Sequence, residues 1–124
     1  MNETSRDPAL DALLDLDGQT LFIEETGVWW VKFVVRRVPV TKEKPHGLDY
    51  SLTLHGHNNL RFVGFDNAHQ IPSGSGPGAR RRDAQDHRHR LRTVKPYDYT
   101  DAGTLLADFW DAVDAILNEM GVKR

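Results

Sequence analysis

Leu48-Asp49-Tyr50-Ser51-Leu52-Thr53-Leu54-His55 alternates apolar and polar residues along its whole length. A period of two sends the two sets of side chains to opposite faces of a β-strand, so one face is expected in a core and the other toward solvent. Working outward, Val28 to Val38 has the same period, with Trp29, Val31, Phe33 and Val35 on one face and Trp30, Lys32, Val34 and Arg36 on the other. Gln19 to Glu25 reads as its hairpin partner across Thr26-Gly27, because β-branched and aromatic residues dominate and glycine supplies the turn dihedrals. Pro39 to His46 is a polar connection. On the other side, Gly56-His57-Asn58-Asn59 turns the chain into Leu60 to Phe65, a link short enough for antiparallel pairing. His87 to Val94 predicts a further strand, with His87, His89 and Leu91 on one side and Arg88, Arg90 and Arg92 on the other.

Helices are expected only at the ends. Asp7-Pro8 followed by Leu10, Leu13 and Leu14 predicts a short helix over 8–15, with Asp7 capping and Pro8 in the first turn. Thr100-Asp101 starts a longer helix whose apolar stripe is Leu105, Leu106, Phe109, Val113, Ile116, Leu117 and Met120, and Gly121 ends it. The fold class is α+β: an antiparallel β-sheet of four to five strands, a C-terminal amphipathic helix packed on one face and a short N-terminal helix.

The chain has 124 residues, 39% hydrophobic and 27% charged, which suits one folded domain over 1–124. Five of the ten residues from Gln70 to Ala79 are Gly or Pro and two are Ser, the composition of a flexible loop. The chain has no cysteine, which excludes disulfides, thiolate metal sites and a cysteine nucleophile and points to the cytoplasm. No apolar run approaches the length of a spanning helix, so no membrane partner is expected. The net charge of −2 hides a segregation, because residues 27–97 hold 13 Lys and Arg against 5 Asp and Glu, while the flanks are acidic. A basic middle can face phosphate in a near-neutral protein.

Two strings carry the chemistry, Gly64-Phe65-Asp66-Asn67-Ala68-His69 and Asp86-His87-Arg88-His89. If their strands are neighbours, Asp66, His69, Asp86, His87 and His89 collect at one end of the sheet as catalytic candidates. Arg80, Arg81, Arg82, Arg88 and Arg90 then stand by as phosphate ligands. Such a set suits RNA cleavage without a cofactor. One group takes the proton of a ribose 2′-hydroxyl, a second histidine protonates the leaving oxygen, and arginines offset phosphate charge. The same residues leave two other readings open. His87 and His89 with Asp66 could hold a divalent metal, a less favoured assignment, or the basic middle could grip RNA or a protein without catalysis.

Together with Pro45-His46-Gly47-Leu48-Asp49-Tyr50-Ser51-Leu52 and with Asp101-Ala102 through Leu105-Leu106-Ala107-Asp108-Phe109-Trp110, these strings resemble the TumE-like toxins of prokaryotic toxin–antitoxin pairs. The resemblance implies a small cytoplasmic toxin whose partner is a cognate antitoxin bearing a helix-turn-helix domain. An RNA substrate and ribonuclease activity come from the residues. A homodimer is a further expectation, from the exposed strand edges of a small sheet.

Overall fold

A computed structural model describes residues 7–67 and 86–124 and orders them as α1 (Leu10–Asp15), β1 (Thr20–Phe22), β2 (Trp30–Arg37), β3 (Leu48–His55), β4 (Arg61–Asp66), β5 (His87–Arg90), β6 (Thr93–Pro96) and α2 (Ala102–Glu119). The expected loop at 70–79, with His69, Arg80, Arg81 and Arg82, lies outside the described residues. The strands form one antiparallel meander in the spatial order β1 to β6.

The alternation around Tyr50 becomes β3, where Leu48, Tyr50, Leu52 and Leu54 are buried and the residues between them are not. In β2, Val31, Phe33 and Val35 are buried on the same side. The buried side of the sheet is closed by α2, whose Ala102, Leu105, Phe109, Val113, Ile116 and Leu117 face inward. Phe109 sits edge-on to both Phe33 and Phe65, at ring-centroid distances of 5.7 and 6.1 Å. Leu13 brings α1 into the same layer with no exposed surface. No helix among the described residues is long and apolar enough to cross a membrane.

Three local expectations change. The strand expected over His87 to Val94 is a hairpin of β5 and β6, which raises the strand count to six. Leu91 makes the turn in the left-handed region at φ 55°, while its amide donates to the Phe62 carbonyl at 3.0 Å. That bond holds a bulky residue where glycine or asparagine would signal a turn. Secondly, α1 starts at Leu10, two residues beyond Pro8. Asp7 accepts from Ala9 N at 3.2 Å through one oxygen and from Ala102 N at 2.6 Å through the other, so it ties the start of α1 to the start of α2. Thirdly, Met120 lies past the end of α2 and is 47% exposed.

The other helix signals hold. Asp101 accepts from Thr104 N at 2.7 Å as the cap of α2, and Gly121, at φ 72°, lets Val122 N bond back to Leu117 O at 2.8 Å. In the β1–β2 turn, Glu24 does the work expected of Thr26-Gly27 alone. Its carboxylate accepts from the Thr26 hydroxyl and amide and from the amides of Val28 and Trp29.

Two outcomes follow for stability. A methyl group on Gly56 would meet ring carbons of buried Trp29 at 2.5 to 2.8 Å, so Gly56→Ala is expected to cost about 1–3 kcal/mol in urea unfolding, the usual penalty for overpacking. The Thr26 hydroxyl, followed by the backbone amides, lowers the Glu24 carboxyl from 4.5 to about 2. A lowered folded-state value means that the contribution is complete above pH 4.5 and fades as pH falls toward 2. Glu24→Gln is therefore expected to lower Tm at pH 7, with the difference from wild type closing in acid.

Candidate functional site

The β4–β5 pairing makes neighbours of the two chemical strings, and it also divides them. Register sets Asp66 opposite His87, Phe65 opposite Arg88, Gly64 opposite His89 and Val63 opposite Arg90. Paired residues share a face, and consecutive residues do not. Asp66, His87 and His89 therefore lie on the face away from α2, while Arg88 and Arg90 lie on the α2 side. Arg88 stacks over the Phe65 ring at 5.1 Å and Arg90 pairs with Glu119 of α2.

On the face away from α2, His89 Nε2 is 2.9 Å from Asp66 Oδ2. Both side chains are largely covered, at 11% and 15% exposure, and His89 Nδ1 is shielded from solvent with no hydrogen-bond partner among the described residues. His87 is buried beside them. A carboxylate bonded to one imidazole nitrogen fixes the ring and directs its proton chemistry to the other nitrogen.

An arginine that the sequence did not mark out lies on the same face. Arg61 shares the face of His55, its partner in register, because a bulge at Phe62 interrupts the β3–β4 ladder between Leu54 and His55. Its side chain then lies across Gly64, where an added Cβ would stand 3.4 Å from Arg61 Cδ and 3.6 Å from Nε and Nη1. Gly64 is the register partner of His89. The missing side chain at Gly64 thus leaves room for the Arg61 side chain in the row that holds His89.

Asp86 belongs to a different environment. It is buried on the α2 side, where the Tyr50 hydroxyl donates to its Oδ2 at 2.6 Å and its carbonyl accepts from Tyr97 N at 2.9 Å. Burial raises its carboxyl above the ordinary range, opposed by the Tyr50 bond and by the nearby His46, His87 and Lys44. The Tyr50 hydroxyl is pushed up in turn, first by its own burial and then by the Asp86 charge. Asn67 is also buried, and it extends β4 with its side chain: Oδ1 accepts from Tyr50 N at 2.9 Å and Nδ2 donates to Leu48 O at 2.8 Å. Of the five catalytic candidates, the structure brings Asp66, His87 and His89 together, sets Asp86 on the opposite face, and leaves His69 outside the described residues. Among the described residues, no three His, Asp or Glu side chains are grouped to hold a metal ion.

A six-stranded antiparallel meander, with both described helices on one side and the Asp66–His89 pair on the other, defines a small α+β domain. Residues 13–117 match the family model described as Toxin TumE, and the chain belongs to this toxin family. It is the toxin component of a toxin–antitoxin pair, and its partner is an antitoxin. No curated protein and no solved structure matches the chain.

Removing the Tyr50 hydroxyl leaves a buried carboxylate without its donor. Tyr50→Phe is expected to cost about 1–3 kcal/mol at pH 7 in denaturant unfolding. Asp86 has a raised folded-state value, so its ionisation weakens the fold as pH rises. The Tyr50→Phe defect should therefore be smaller at pH 4 than at pH 7.

Proposed function

We propose that this toxin is a ribonuclease and that the Asp66–His89 pair is its proton-transfer centre. The supporting observation is the 2.9 Å contact between Asp66 Oδ2 and His89 Nε2, with Arg61 across Gly64, the register partner of His89. With Nε2–H donating to Asp66, His89 Nδ1 is the nitrogen that accepts a proton. It removes the proton of a ribose 2′-hydroxyl, and the resulting oxygen attacks the adjacent phosphorus. The bond from phosphorus to the 5′-oxygen breaks, and a second imidazole protonates that oxygen. The products are a 2′,3′-cyclic phosphate and a 5′-hydroxyl end, with no oxidant, metal or co-substrate consumed.

His87, on the same face, is the acid in this scheme, with His69 as the alternative donor of that one proton. Arg61 offsets the charge that builds on the phosphoryl oxygens. Arg80, Arg81 and Arg82 are further phosphate ligands in this reading, whereas Arg88 and Arg90, turned toward α2, do not enter it. The reaction takes place in the cytoplasm. The antitoxin in this reading carries a helix-turn-helix domain and neutralises the toxin by covering the basic surface.

The test is induced expression without antitoxin of the wild type, His89→Ala, Asp66→Asn and Arg61→Ala, with growth and total RNA followed together. The wild type should arrest growth and fragment RNA. His89→Ala, folded by circular dichroism, should lose cleavage by about 100-fold or more, the usual scale for removing an acid–base group. Growth arrest by wild type and His89→Ala alike, with RNA intact, overturns the ribonuclease and leaves a toxin that blocks translation by binding.

A further inference from the structure

The face away from α2 carries a line of side chains of which the proposed cleavage uses only Arg61. Register sets Phe22 opposite Trp30, Trp30 opposite His55, and His55 opposite Arg61, so β1 to β4 contribute three rings and a guanidinium in one row. The Trp30 and His55 rings are stacked, with centroids 4.1 Å apart and planes 9° from parallel. His55 is fixed by Thr53 Oγ1 at 3.0 Å from Nε2 and the Asn59 carbonyl at 3.3 Å from Nδ1. Phe22 is 67% exposed. The next row across the sheet holds Thr20, Lys32, Thr53, Gly64 and His89.

An exposed phenylalanine on the side of the sheet that carries none of the described helices contributes little to folding. The rows supply instead what an unpaired nucleic-acid strand needs: ring faces for stacking, with cations between them. Lys32, Arg36 and Arg61 are exposed on this side. Of its acids, Asp49 is opposite Arg36 in register and Asp66 is bonded to His89. Both acids therefore have basic neighbours, while Lys32 and Arg61 sit among rings and hydroxyl groups. From β1 to β5 is four strand spacings, about 19 Å, a distance an extended strand crosses without bending.

We propose that this face binds single-stranded RNA, with bases stacked on Phe22 and Trp30 and the phosphates of the same strand on Lys32 and Arg61. The inference rests on the ribonuclease reading and names the form of its substrate. A single strand offers base faces to aromatic side chains, whereas a duplex encloses them and presents mainly phosphate and sugar. The aromatic row binds upstream or downstream of the cut, and the Asp66–His89 pair acts where the strand crosses β4 and β5.

The experiment uses the full chain and a labelled 2′-O-methyl RNA strand of about 12 nucleotides, which lacks the free 2′-hydroxyl and cannot be cut. Anisotropy should show binding to the single strand and at least tenfold weaker competition by a duplex of the same sequence. Phe22→Ala and Trp30→Leu should each weaken binding by about 5- to 100-fold, the range for losing one stacked base. Phe22→Ala, at an exposed site, should keep the wild-type Tm. Lys32→Ala should reduce the slope of log affinity against log salt by about 1. Unchanged binding by both aromatic variants, or equal binding of duplex, overturns the inference, and tighter binding of single-stranded DNA than of RNA overturns the assignment to RNA. A parallel assay on unmodified RNA separates the two claims. Binding that depends on Phe22 and Trp30 without cleavage removes the ribonuclease and keeps the face, while cleavage at wild-type kcat/KM by both aromatic variants does the reverse.

Discussion

Phe109 of α2, wedged edge-on between Phe33 of β2 and Phe65 of β4, is the contact on which the arrangement depends. Successive side chains of a strand point to opposite faces, so Phe33 and Phe65 fix which face of β2 and of β4 meets the helix. With α2 fixed there and α1 held beside it through Leu13 and Asp7, both helices lie on one side of the sheet. The opposite side carries none of the described helices. Its described residues are a mixture of rings, hydroxyls, cations and one carboxylate–imidazole pair.

Most of the fold was legible because burial and alternation agree. Leu48, Tyr50, Leu52 and Leu54 and the alternate positions Trp29, Val31, Phe33 and Val35 are core residues, and the stripe from Leu105 to Leu117 is the face of α2 that meets them. The hairpin at Leu91 was not legible, because its turn contains neither glycine nor asparagine and its left-handed residue is held by a tertiary bond to Phe62. Sequence alternation runs straight through such a turn. The cap of α1 was misplaced for a related reason: Asp7 divides its oxygens between two helices, and only the three-dimensional structure brings Ala102 to it.

The site was legible in its parts and not in its sides. The pairing of the two histidine-bearing strings was anticipated from their positions beside a common connection, and the alternation of His87 and His89 against Arg88 and Arg90 was readable from spacing. The same alternation sets Asp86 on the face opposite His87 and His89, which the expected five-residue cluster overlooked, and nothing in the spacing shows that the Tyr50 hydroxyl is its partner. Arg61 was hidden by the bulge. Counted by twos, Arg61 and Gly64 fall on opposite faces, and one unpaired residue at Phe62 brings them to the same one.

The buried residues at either end of the interval between β4 and β5 carry one more implication. Asn67 is fastened to the backbone of β3 through its side chain, and Asp86 is held by Tyr50 and by the amide of Tyr97. These anchors sit side by side and set the register of β5 on β4 without reference to the chain that connects them. A change of sequence between the two anchors can therefore leave the alignment of β5 on β4, and the core beneath it, as they are.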